Sequence, residues 1–270
     1  MKRLGLIGFP LVHSFSPAYF KEKFLREGLT DYRYEAFPLP SIEQFPEFVA
    51  QHPDLSGFNV TIPYKETIIP YLDELDDAAA IIGAVNCVKI QRDTDKNDNC
   101  QLSTVNYQLS TINCQLTEKS YRLKGYNTDA PAFSQCLQEG WTLPSKALIF
   151  GTGGAAKAVA YALKQLHIDF YFVSRSKHDR QTITYSDLNQ PHSESHKLWI
   201  NATPVGMFPH TEESLPLDYS TMSSEHYLFD LIYNPKETVF LRRGREHGAH
   251  IKNGLAMLHT QAELSWKVFK

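Results

Sequence analysis

The residues equipped for chemistry sit where apolar, strand-like runs end. Gly151-Thr152-Gly153-Gly154-Ala155-Ala156 follows the run Lys146 to Phe150 and opens an Ala-rich helical stretch reaching His167. Bare backbone at Gly151, Gly153 and Gly154, with Ala155 next, lets a pyrophosphate approach the N–H groups of a helix N-terminus. A Gly-x-Gly-x-x-Ala string is weak alone, and a glycine turn that merely packs helix on sheet competes with it. The strand before it and a second strand over Phe170 to Val173 give it the context of a dinucleotide-binding βαβ unit. That second strand ends in Ser174-Arg175-Ser176-Lys177, with Arg180 close behind, where an NAD site would place Asp or Glu against the ribose diol. Guanidinium and hydroxyls suit a 2′-phosphate, so the expected cofactor is NADP(H); a solvated basic loop is the alternative.

A second set of polar strings occupies the first half. His13-Ser14-Phe15-Ser16-Pro17 puts two hydroxyls just before a helix N-terminus, an arrangement suited to a carboxylate, although Ser16 can also serve as a simple cap. Asn59-Val60-Thr61-Ile62-Pro63-Tyr64-Lys65, Gly83-Ala84-Val85-Asn86 and Gly125-Tyr126-Asn127-Thr128-Asp129 each end a strand-like run, the edge at which open α/β sheets present ligand-binding groups. The eleven His are scattered, and His192/His196 and His247/His250 lack an H-E-x-x-H pattern, so no metal site is expected. Cys87, Cys100, Cys114 and Cys136 show neither C-x-x-C spacing nor disulfide density, which points to reduced thiols in a cytoplasm.

The elements that position these strings alternate. Strands are expected at Leu4 to Phe9, Tyr32 to Phe37 and Gly57 to Thr61. Helices are expected at Ser16 to Glu27, with Ser16 as cap, at Ser41 to Gln51 and at Pro63 to Leu72. Ala84 to Ile90 and Tyr121 to Tyr126 should pair as a hairpin. Further on come a helix near Ala130 to Gly140, strands at Leu198 to Asn201 and Tyr227 to Leu231, and helices near Thr238 to His247 and Leu255 to Val268. Between the hairpin strands, Asn99 to Leu116 is a near-exact seven-residue repeat rich in Asn, Ser and Thr. It makes a poor coiled coil, and an insertion near 95–119 at the hairpin tip is expected; an extra β-layer or oligomer contact is the competing reading.

At 270 residues with 42% hydrophobic and 21% charged, the chain is long enough for one large domain or two. A formal charge of -3 supplies no general field for nucleic acid or anionic lipid, and no apolar run is long enough to span a membrane. Any anion must be captured locally.

The strings HSFSP, NVTIPYK, GAVN, GYNTD, GTGGAAKA, NATPVGM, DLIYNP and NGLAMLHTQAELSW resemble, in order, the shikimate dehydrogenase family, over essentially the whole chain except the repeat. Ser174-Arg175-Ser176 keeps the family's Arg but replaces its usual Asn-Arg-Thr neighbours, and Pro204-Val205 stand where small polar residues are common. The resemblance implies an α/β fold: an N-terminal substrate domain with a mixed sheet (1–129 plus 251–270) and a Rossmann-like doubly wound dinucleotide-binding domain (130–250). It implies reversible NADPH-dependent reduction of 3-dehydroshikimate, in aromatic amino acid (chorismate) biosynthesis, by a monomer or homodimer. Lys65 and Asp129 would be the catalytic pair. Ser14 and Ser16 would hold the substrate carboxylate, Thr61, Asn86, Asp129 and Gln261 ring hydroxyls, and Tyr233 would line the cleft. Gly151, Gly153, Gly154, Ala155, Ser174, Arg175, Ser176, Thr203 and Gly254 would hold the cofactor. A dual quinate/shikimate enzyme shares every motif; a non-catalytic metabolite sensor would have lost Lys65 or Asp129, and a folate dehydrogenase would not need the serine clasp.

Overall fold

The computed structural model describes residues 1–11, 14–92, 121–177, 179–188 and 190–270. His13 and the expected insertion near 95–119, with Cys100 and Cys114, lie outside the described residues.

The first half builds a six-stranded sheet. In chain order its elements are β1 (Lys2–Gly8), α1 (Ser16–Arg26), β2 (Tyr32–Pro38), α2 (Phe45–Gln51), β3 (Leu55–Val60), β4 (Glu74–Leu75), α3 (Asp77–Ile82), β5 (Cys87–Arg92) and β6 (Tyr121–Tyr126). The strand order is β2-β1-β3-β5-β6-β4. β1 runs parallel to β2 and β3 because helical crossovers join them, whereas β5 is antiparallel to both β3 and β6. The sheet is therefore mixed, as expected. The hairpin closes in continuous register from Cys87↔Tyr126 to Arg92↔Tyr121.

Two local expectations are corrected. Ser16 is the first residue of α1 and not its cap: Phe15 holds that position, with no side-chain cap bond. Pro63 to Leu72 is not a helix but a series of turns with one 3-10 turn at Ile69–Tyr71. Pro70 lacks an N–H and disfavours helical backbone before it, so the apolar spacing of this stretch could not be realised as a helix. In this half one short helix was missed. α3 starts where the Asp76 carboxylate accepts the Ala79 N–H at 2.7 Å and stops at Gly83, whose φ of 69° is the left-handed stop that glycine tolerates.

The second half adds α4 (Asp129–Gln138), β7 (Lys146–Phe150), α5 (Gly154–Gln165), β8 (Asp169–Ser174), β9 (Thr182–Thr184), α6 (Gln190–Ser195), β10 (Leu198–Asn201), β11 (Tyr227–Asp230), α7 (Val239–Glu246), β12 (His250–Lys252) and α8 (Leu255–Phe269). Every pairing in its sheet, ordered β12-β11-β10-β7-β8-β9, is parallel. This doubly wound order reverses direction between β7 and β10, the switch point at which such sheets bind ligands. β9 and β12 are three-residue strands, too short for periodicity to reveal.

α8 then returns to the first sheet. Its Ala262, Trp266 and Phe269 are buried with Leu4, Leu6, Phe20 and Phe24, and a Cβ on Gly57 would lie 2.7 Å from the Phe269 ring. At the seam between the sheets, Ile82, Ala84, Ala130 and Ala158 form a buried cluster of mostly small side chains, which lets α3, α4 and α5 pack closely.

Candidate active site

The charges expected to pair meet across this seam. Lys65 Nζ donates to Asp129 Oδ2 at 2.7 Å, although the two are 64 residues apart. The lysine side chain is 18% exposed and the aspartate 7%, so the pair opens to solvent from the lysine side. The Lys65 carbonyl accepts the Val85 N–H at 2.7 Å, tying the lysine's loop to the segment that carries Asn86 into β5. Asp129 opens α4, where the helix N-terminus favours a carboxylate. Sequence reasoning assigned no role to the residue that sets up this start: the Asn127 side-chain oxygen accepts the N–H groups of Asp129 and Ala130, both at 3.1 Å. An Asn two residues before the helix is the cap signal that would have revealed it.

A buried hydrogen-bond chain runs from this pair to the serine loop. Asn86 Nδ2 donates to Asp129 Oδ1 at 2.8 Å and Thr128 Oγ1 at 2.9 Å, while its Oδ1 accepts the Thr128 N–H at 2.7 Å. Thr128 meets Ser265 of α8 at 3.1 Å, and Ser265 accepts from Asn59 Nδ2 at 2.8 Å. Asn59 Oδ1 accepts the Tyr34 hydroxyl at 2.8 Å, and that phenol is bonded to Ser16. Burial pushes the Tyr34 phenol well above its ordinary range, so it acts as a neutral donor. Among the expected substrate-binding residues, Ser16 and Asn86 are therefore members of one network with Lys65 and Asp129. Such networks hold side chains in one geometry because an unpaired buried polar group is costly.

The remaining expected residues surround it. The Ser14 N–H bonds the Leu11 carbonyl at 3.1 Å. Thr61 follows β3, its N–H bonding the Ile7 carbonyl at 2.9 Å, and its methyl lies 2.4 Å from where a Gly8 side chain would begin. Tyr233, half-buried in the loop after β11, is hydrogen-bonded to the Phe15 backbone, and its ring centroid is 5.9 Å from that of Phe15. It bridges the two halves of the molecule beside the serine loop, and burial raises its phenol. Gln261 turns its amide back onto its own helix, donating to the Leu258 carbonyl at 3.0 Å.

On the second sheet, Gly151 adopts φ 104°, which favours glycine, and its N–H bonds the Val173 carbonyl at 2.9 Å. The glycine turn and Ser174-Arg175-Ser176 therefore leave the sheet side by side. Arg175 and Ser176 are exposed and Ser174 half-exposed. Gly153 precedes α5 with no side-chain cap, and no acid occupies the first turn, leaving the N–H groups around Gly154 and Ala155 directed at any anion. Thr203 lies across the switch point, its methyl 3.0 Å from where a Gly151 side chain would begin. Its N–H and hydroxyl both donate to Asn201 Oδ1, at 3.0 and 2.7 Å. A Cβ on Gly154 would come within 3.1 Å of Lys65 Cβ and 3.2 Å of Ala84 Cβ, so the turn rests directly against the loop carrying the lysine. The Lys157–Glu66 ion pair, one residue from Lys65, clamps the same junction. Gly254 has a packing reason to be glycine, since a Cβ there would lie 2.0 Å from the Leu231 carbonyl oxygen. Arg180 is not beside Arg175 but near the amino end of β8, because the chain doubles back to start β9.

Residues 6–88 match the family model described as the shikimate dehydrogenase substrate binding domain. The shikimate dehydrogenase (NADP(+)) of Methanococcus maripaludis is 33% identical over 99% of this chain and 91% of its own length. The chain belongs to the shikimate dehydrogenase family. Among solved structures, shikimate 5-dehydrogenase from Listeria monocytogenes in complex with shikimate and NAD superposes with a TM-score of 0.79 at 26% identity, covering 100% of this chain and 91% of that one. Shikimate 5-dehydrogenase from Thermus thermophilus in complex with NADP(H) and shikimate gives 0.78 at 30% identity, covering 100% and 94%. The match to the shikimate dehydrogenase substrate domain contains Ser14, Ser16, Thr61, Lys65 and Asn86, whereas Asp129 lies beyond it and reaches the same site through the fold.

Proposed function

We propose that this chain catalyses the reversible, NADP-dependent reduction of 3-dehydroshikimate to shikimate, supplying aromatic amino acid biosynthesis. The observation that carries this reading is the Lys65–Asp129 pair at 2.7 Å set against a glycine turn shaped for a dinucleotide. The residues fit that cofactor: the turn has a left-handed glycine, an uncapped helix start and a nearby guanidinium free of acidic neighbours in sequence. When bound, the reduced cofactor supplies a hydride.

The chain's own residues do the rest. Ser14 and Ser16 receive the substrate carboxylate, and Thr61, Asn86 and Gln261 its ring hydroxyls, Gln261 after releasing the Leu258 carbonyl. Lys65 donates a hydrogen bond to the substrate carbonyl oxygen, stabilises the negative charge that develops there during reduction, and delivers a proton to it. Asp129 orients the ammonium and accepts from the neighbouring substrate hydroxyl. Tyr233 excludes water where the two halves meet. Arg175, with Ser174 and Ser176, binds the 2′-phosphate. We assign 1–129 together with α8 to the substrate domain and 130–252 to the cofactor domain, and the molecule to a monomer or homodimer. Initial rates of NADPH and NADH oxidation with 3-dehydroshikimate, and of NADP+ reduction with shikimate and with quinate, test the proposal. Turnover of dehydroshikimate with NADPH preferred supports it; no turnover with either cofactor overturns it.

A further inference from the structure

A groove of about 870 Å³ lies at the edge of the second sheet opposite the glycine turn. Lys146 opens β7, Asp169 opens β8 and Arg180 precedes β9, so the groove spans the amino ends of three strands, while the turn follows the carboxyl end of β7. Along five-residue β7 the two are roughly 13 Å apart, and one ligand at the switch point does not occupy both. The volume suits a small metabolite.

Its lining is electrostatically one-sided. Lys146, Lys164 and Arg180 contribute three permanent cations against the single carboxylate of Asp169, in a chain carrying 27 basic and 30 acidic residues. All three cations are exposed, and none has an ion-pair partner among the described residues. His196 adds a directed group. It is 5% exposed, and its Nδ1 lies 3.0 Å from both the His192 carbonyl and the Ser195 hydroxyl. The Ser195 hydroxyl donates to the Pro191 carbonyl at 2.6 Å, so Nδ1 carries the proton and Nε2 is the acceptor. Nε2 has no partner among the described residues. It is not sealed in the core, because Trp266 Nε1 is the one fully buried side-chain nitrogen or oxygen without a partner among them, and His196 is one of the residues that line the groove. Burial, with the Lys146 ammonium adding to it, lowers the His196 pKa, which keeps this acceptor neutral.

We infer that the groove binds a small phosphorylated metabolite that also carries hydroxyls. Lys146, Lys164 and Arg180 neutralise the phosphate, and His196 Nε2 accepts a hydrogen bond from a ligand hydroxyl. Cations without a carboxylate partner bind phosphate without first breaking an ion pair, Lys164 resting only over the Phe170 ring at 5.9 Å, and an acceptor inside a basic groove selects a ligand that brings a donor.

The test is calorimetric titration of ribose 5-phosphate into the full chain saturated with NADP+, so that the cofactor's own phosphate contacts are filled. Saturable binding at one site per chain is expected. The double substitution Lys146→Glu/Arg180→Glu should weaken it at least tenfold while leaving the melting temperature and kcat/KM for shikimate unchanged. His196→Leu should weaken ribose 5-phosphate several-fold and inorganic phosphate not at all. Absence of saturable binding, or binding indifferent to the charge reversal, overturns the site; an equal effect of His196→Leu on both probes overturns the hydroxyl contact.

Discussion

Replacing Lys65 by Met removes the ammonium while keeping the unbranched stem. The carboxylate it leaves is not stranded, because Asp129 retains the Asn86 bond at 2.8 Å on its other oxygen and stays at the start of α4. The fold should survive with a loss of about 1–3 kcal/mol, the usual cost of removing one partner from a partly buried charged pair. The rate should suffer far more. A positioned general acid contributes roughly 10²–10⁴-fold, equivalent to about 2.7–5.5 kcal/mol of barrier, and the charge it stabilises exists only as the hydride arrives. With the substrate held by Ser14, Ser16 and Gln261 as proposed, KM for dehydroshikimate should change little. Steady-state NADPH oxidation across pH, with a thermal melt to confirm folding, reads both effects. A kcat within about threefold of the unmutated chain with a raised KM would refute the reasoning and make Lys65 a binding residue.

Arg175→Ala should cut the preference for NADPH over NADH by roughly 10–150-fold, the equivalent of one charge-assisted phosphate contact, as read by kcat/KM for both cofactors. Equal efficiency of both cofactors before mutation would sink that assignment. Gly254→Ala puts a methyl 2.0 Å from the Leu231 carbonyl oxygen at an otherwise permitted φ of -75°, and the clash should cost about 1–3 kcal/mol, seen as a drop of several degrees on melting. Burial raises Asp230 from 3.8 to about 6, so between these values the folded state holds a proton that the unfolded state releases, and stability falls as pH rises through that window. Asp230→Asn removes this penalty, which is at most about 3 kcal/mol, so the melting temperature of the variant relative to the parent should rise between about pH 4 and pH 7.5. Because the β5–β6 ladder is in register up to Arg92↔Tyr121, replacing residues 95–119 by a short turn should leave kcat/KM unchanged; a large loss of stability or a change in mass by light scattering would give the repeat a structural part.

The sequence by itself determined the chemistry and most of the scaffold. β7 and β10 match their expected bounds because central strands of a parallel sheet are buried on both faces and read as unbroken apolar runs. The glycine turn is legible because φ 104° at Gly151 narrows the choice of residue to one type. The two- and three-residue strands β4, β9 and β12, and the six-residue helix α3, carry too little pattern to be seen and exist because longer neighbours offer them hydrogen-bond partners or a packing surface. Ser16 looked like a cap since a hydroxyl before Pro17 has that local use, but tertiary contact with Tyr34 drew it into the site network. Arg180 seemed to belong with Arg175 by proximity in the chain, and only the parallel pairing of β8 with β9 carried it to the other edge of the sheet. The approach of Lys65 to Asp129 depends on β5 and β6 pairing antiparallel and on small residues at Ala84 and Gly154 letting the two halves close up. Residue types fix what a side chain can do; which side chains do it together is decided by long-range pairing, whose energy comes from burying surfaces that no local window of sequence contains.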